Sequence, residues 1–106
     1  MAKAVLSRDF VLLPSVVLET EWVLRSSYAW PRARIAEALA VLIDLPTLRE
    51  APQGIGWVIE RFADGADFAD MLHLAASGSA DAFVTFDRRL AKAAGPNTPI
   101  PIETLA

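Results

Sequence analysis

The chain has 106 residues, 54% of them apolar, a net charge of −3 and no cysteine. That length makes one domain, long enough for a real core, and the lack of cysteine excludes disulfides and thiolate metal sites. The slightly acidic balance, with no basic tail, excludes a protein that holds nucleic acid by charge alone. An enzyme that grips phosphate through a cation and a few arginines stays open.

The apolar content lies above the ~45–50% of ordinary soluble domains, and counting glycine in place of tyrosine only widens the gap. The surplus suggests apolar surface buried in a dimer or under a partner. No apolar run approaches the ~18 residues of a membrane span, and the N-terminus carries no signal-peptide pattern. A soluble, cytoplasmic protein without membrane contact is therefore expected.

In chain order, Phe10–Leu13 is a short apolar run stopped by Pro14 and fits a buried strand. Ser15 can cap a helix from Val16 to about Ser26. Trp30 and Pro31 mark the next start, with Pro31 at the first helical position and an end near Ile43. Thr47–Glu50 is a short strand candidate after Pro46. Pro52 opens a third helix reaching about Asp64, although Gly54 and Gly56 weaken its first turn. A fourth helix runs from Asp67 to Ser77 and stops at Gly78. Ala82–Thr85 is a strand, Asp87 caps a fifth helix over Arg88–Ala94, and Ile100–Ile102 suits a last edge strand, where proline is tolerated. Short apolar strands alternating with helices predict an α/β sandwich with a mostly parallel sheet. In such sheets functional groups gather beyond the carboxyl ends of the strands.

Three carboxylates stand out. Glu19 has Ser15, Val16, Trp22 and Val23 at helical spacing and no cation among them, which predicts a carboxylate on an apolar face. A buried, unpaired carboxylate calls for a metal or a hydrogen bond, although a place in the first turn would also suit the helix dipole. Glu21, with Arg25 four residues on, reads as a surface pair. Asp70 sits inside the fourth helix, where aspartate is a poor helix former, and shares a face with Asp67, whose plainer role is an N-cap. Asp87 follows a strand, where it is either an N-cap or a ligand, and Thr85 beside it is placed to position a ligand or a water. Carboxylates at helix starts and strand ends can converge on a hard cation, and oxygen ligands alone suit Mg²⁺ or Mn²⁺. That layout points to metal-dependent phosphodiester chemistry. His73, the single histidine, is thin support for zinc and reads as a helix-face or core residue. Arg88, Arg89 and Lys92 are either a solvated helix face or phosphate contacts beside the metal site. Trp22, Trp30 and Trp57 read as core or interface residues rather than base-stacking platforms.

Taken together, Leu13–Tyr28, Ala66–Ala75 and Phe83–Leu90 resemble the PIN-domain ribonucleases, specifically the VapC toxins of toxin–antitoxin pairs. The resemblance implies a three-layer α/β/α PIN-like sandwich on a mostly parallel sheet. It implies RNA cleavage with Mg²⁺ or Mn²⁺ held by Glu19, Asp70 and Asp87, a water attacking phosphorus in line while the cation stabilises the developing charge. A cognate antitoxin and a homodimer or higher oligomer are the implied partners. The departure lies at the start. The family opens with a strand ending in Asp-Thr-Asn or similar, whose Asp is a principal ligand, and Asp9 is not in that context. By this comparison the domain is truncated at its N-terminus, so that residues 10–13 and 82–85 must pair directly or another chain must fill the gap. The loss of one acid weakens or abolishes catalysis. The alternative is a catalytically dead PIN-like module that binds an antitoxin or itself.

Overall fold

The computed structural model of the chain describes residues 8–105; residues 1–7, which include the stretch read above as lacking a signal pattern, and residue 106 lie outside the described residues. Among the described residues the elements are mixed α/β, with five helices and short parallel strands in two small sheets. They fall into two compact units, the first reaching to Pro52 and the second starting at Gln53. Among the described residues no helix is long and apolar enough to cross a membrane.

The first unit contains β1 (Phe10–Val11), α1 (Pro14–Ser26), α2 (Arg32–Ile43) and β2 (Leu48–Glu50). β1 and β2 run parallel, with Phe10 opposite Leu48 and a register irregularity before Val11. The ladder is extended by Leu12, whose N–H donates to the Glu50 carbonyl at 2.8 Å. Arg49 and Asp9 bridge the same two segments on the surface (2.9 Å), and that hydrogen bond holds the Asp9 carboxyl below its usual range. Asp9 is thus paired with Arg49 on the surface beside the sheet. α1 starts earlier than the sequence predicts. Leu13 is its N-cap, Pro14 occupies the first turn, and no side chain caps it, so Ser15 is not the cap. A proline there sacrifices no hydrogen bond, because the first N–H groups of a helix have no internal acceptor. α2, by contrast, begins one residue later than predicted, with Pro31 as N-cap rather than first helical residue.

The second unit contains α3 (Ile55–Ala63), α4 (Phe68–Ala76), β3 (Phe83–Thr85), α5 (Arg88–Ala94) and β4 (Ile102–Thr104). α3 starts at Ile55 rather than at Pro52 because Gly54 has φ +68°, a conformation natural to glycine that ends any helix. A Cβ at Gly54 would also lie 3.1 Å from the Ala75 Cβ. The buried residues of α3 are Ile55, Val58, Ile59 and Phe62, and those of α4 include Phe68, Met71, Leu72 and Ala75. Both sets follow the i, i+3, i+4, i+7 spacing of a one-sided helix. The two helices pack together, with Phe62 and Phe68 edge-to-face at 5.4 Å between centroids. β3 and β4 pair in parallel, Phe83 opposite Ile102 and Thr85 opposite Thr104. Ile100 is therefore a buried core residue ahead of the strand rather than part of it. Of the two alternatives, direct pairing of residues 10–13 with 82–85 is not among the pairings of the described residues; β1 takes β2 and β3 takes β4.

Arg61 ties α3 to α5. Its guanidinium donates twice to the Ala93 carbonyl, at 3.1 and 2.9 Å, and meets Asp64 at 3.1 Å. The carbonyl lies in the last turn of α5, where carbonyls lack internal donors. Arg61→Met keeps the stem but removes both donors. We expect it to lower stability by about 2 kcal/mol, the scale of charge-assisted bonds to a part-buried acceptor, read as a lower urea midpoint. An unchanged midpoint would mean that water replaces the guanidinium at no cost.

Candidate active site: a carboxylate-lined cleft

The site is assembled by two helix starts within the second unit. α4 is capped by Asp67, whose Oδ1 accepts the N–H of Asp70 at 2.9 Å. That bond satisfies one orphan donor of the first turn and fixes Asp70 one turn into the helix. α5 is capped by Asp87, whose Oδ1 accepts the N–H of Arg89 at 2.9 Å and the Arg89 Nε at 3.4 Å. Thr85 orients this turn. Its hydroxyl accepts the Asp87 N–H at 3.0 Å, while its carbonyl accepts the Leu105 N–H at 2.8 Å. The hydroxyl oxygen thus accepts a backbone N–H, while its own O–H remains a donor.

Asp67, Asp70, Asp87 and Arg89 line one cleft of about 360 Å³, floored by Met71 and Leu90. The electrostatics are uneven. Burial, then the negative charges of Asp67 and Asp87, push the Asp70 carboxyl above its ordinary range, with His73 opposing weakly. Asp87 is held below that range, chiefly by the Arg89 backbone N–H and further by the Arg89 side chain. The two carboxylates therefore have opposite linkage. Asp87 contributes stability above the ordinary carboxylate pKa and loses it as pH falls through its depressed value. Asp70 favours the folded state only at low pH, and its contribution is lost as pH rises through its elevated value. We expect Asp70→Asn to melt at or above the parent at pH 7, and this advantage to vanish below about pH 4, where both states of the parent are protonated. Thermal melts across this range check it; a variant less stable at pH 7 would show that the Asp70 charge is stabilising.

The remaining sequence candidates are placed as follows. Glu19 lies on α1 in the first unit and is exposed, which corrects the expected burial. The buried acid of α1 is Glu21, 3% exposed, with Arg25 donating to it at 2.7 Å through Nε and 3.4 Å through a terminal nitrogen. The forked guanidinium supplies the compensation that a buried carboxylate requires, so the expected surface pair is half-buried. His73 is exposed and belongs to the helix surface. Arg88 and Lys92 are exposed and lie off the cleft wall. Trp22, 54% exposed, is not a core residue. Among the described residues no group of three or more histidine or carboxylate side chains could hold a metal ion by itself. Sequence reasoning missed Arg61, whose signal was a cation between the buried positions Ile59 and Phe62.

The oxygen donors of Asp70 and Asp87 suit a hard cation. Mg²⁺ in particular is commonly held by one or two carboxylates together with waters and substrate phosphate. No known protein family, curated protein or solved structure matches this chain.

Proposed function

We propose that the chain is a metal-dependent ribonuclease of the PIN type, built as a three-layer α/β/α domain of which the two parallel strand pairs are parts. The observation that carries this reading is the convergence of Asp67, Asp70 and Asp87 with Arg89 on one cleft beyond the carboxyl end of β3. Asp70 and Asp87 are the residues that would hold Mg²⁺ or Mn²⁺. The cation supplies charge stabilisation for in-line displacement at phosphorus. Asp67 and Thr85 hold the two carboxylates in place, and Arg89 binds a non-bridging phosphate oxygen. A small antitoxin and a second copy of the chain are the protein partners.

The test is cleavage of single-stranded RNA by the full chain with Mn²⁺, with EDTA as the blank. Cleavage that depends on Mn²⁺ supports the reading. A second reading, a PIN-like module that binds without cutting, is favoured by the lack of a complete three-acid group among the described residues. The exposed Val84, Phe86 and Leu105 on and beside the β3–β4 pair also favour it. RNA left intact at every Mn²⁺ concentration would decide for that reading.

A further inference from the structure

We propose that the outward face of α2 is a self-complementary seam through which two copies of the chain associate. The inference rests on the reading of a second copy as a partner, gives that partner a surface, and is independent of the ribonuclease chemistry. α2 buries Ile35, Ala36 and Leu39 in the first unit. On its opposite side Arg34, Glu37 and Val41 are exposed, Val41 by 61%. With Ala38, and with Trp30 just before the helix, they line a groove of about 450 Å³. From Trp30 through Arg34 and Glu37 to Val41 the steps are four, three and four residues, the spacing of a helix-pairing seam. The Arg34 guanidinium stacks over the Trp30 ring at 3.9 Å, and a stacked guanidinium keeps its in-plane N–H donors. Among the described residues neither Arg34 nor Glu37 has an ion-pair partner.

The order of these residues selects the occupant. A two-fold axis crossing the stripe midway between Arg34 and Glu37 runs two α2 helices antiparallel. It sets Arg34 of one copy opposite Glu37 of the other and Trp30 opposite Val41, each contact made twice. Ala38 then faces Ala33, and small residues at the crossing allow close approach of the helices. The stripe carries one charge of each sign. A uniformly basic or acidic partner meets as much repulsion as attraction there, whereas a reversed copy meets only attraction. Trp and Arg are also the side chains that most often anchor such contacts. A seam this short falls below the ~20–30 residues a side of a standard interface, so the expected dimer is weak, with Kd on the order of 100 μM.

Sedimentation equilibrium of the full chain, from about 10 μM to about 1 mM, measures the association. Arg34→Glu and Glu37→Arg should each weaken it about tenfold or more, because like charges then face each other in both pairs. Mixing the two variants in equal amounts should restore it, since every pair in the mixed dimer again joins opposite charges. Val41→Asn should weaken it by removing the contact to Trp30. All three positions are exposed, so far-UV circular dichroism should match the parent. Single variants that associate as the parent does, or a mixture that fails to recover association, overturn the seam and leave a second copy bound at another face. A parent that stays monomeric throughout overturns both the seam and the second copy. RNA cleavage is assayed apart, and neither result bears on it.

Discussion

Asp70→Asn is expected to lower Mn²⁺-dependent RNA cleavage by about 100-fold or more, the scale on which a positioned catalytic carboxylate acts. The substitution is nearly isosteric. It leaves the Asp70 backbone N–H donating to Asp67, so α4 keeps its cap and the folded state should survive. What is lost is a negative charge that burial and two neighbouring carboxylates already disfavour. A cation is the natural relief for such a group, and an amide offers it a far poorer oxygen. Rates are compared at saturating Mn²⁺, with thermal melts run alongside. Cleavage at the parent rate would mean that the activity comes from elsewhere, a contaminating nuclease included.

Phe68→Ala is expected to lower stability by about 3–5 kcal/mol, the usual cost of truncating a buried phenylalanine. Small domains have roughly 5–15 kcal/mol in all. Phe68 is 2% exposed, and its ring stands edge-to-face on Phe62 at an interplanar angle of 85°. It follows Asp67 directly, so the cavity would open under the first turn of α4 and loosen both cleft aspartates on that helix. Urea unfolding measures the loss. Phe68→Leu should retain most of the stability by keeping the volume filled. Equal effects of the two variants would show that the ring geometry, rather than the filled space, matters.

What could be read from the sequence was local. The spacing of Ile55, Val58, Ile59 and Phe62, and of Phe68, Met71, Leu72 and Ala75, marks two one-sided helices. Asp67 and Asp87 stand where a short polar side chain can accept the N–H groups of a first turn, and both do so. Asp67, Asp70 and Asp87 do line one cleft, but the three-acid metal group expected of Glu19, Asp70 and Asp87 is not found among the described residues.

What could not be read was long-range. The strands are two or three residues long, too short for an apolar run to specify its partner, so the sequence does not say that β1 chooses β2 and β3 chooses β4. α1 misled for a different reason. It carries apolar residues on more than one side, and Val16 and Trp22 made the Glu19 face look buried. Burial instead follows Val17 and Glu21, because Arg25 can neutralise Glu21 and nothing at helical spacing does this for Glu19. Apolar neighbours alone are therefore a poor guide to which acid of a helix is buried when a second acid has an arginine one turn away.

The most direct test of the central claim is a calorimetric titration of Mn²⁺ into the 106-residue chain and into its Asp87→Asn variant. We predict saturable binding to the parent and its loss in the variant, since the Asp87 carboxylate is held ionised at the cleft. A parent that takes up no Mn²⁺, or a variant that binds it as the parent does, would contradict the assignment of this cleft as a metal-dependent active site.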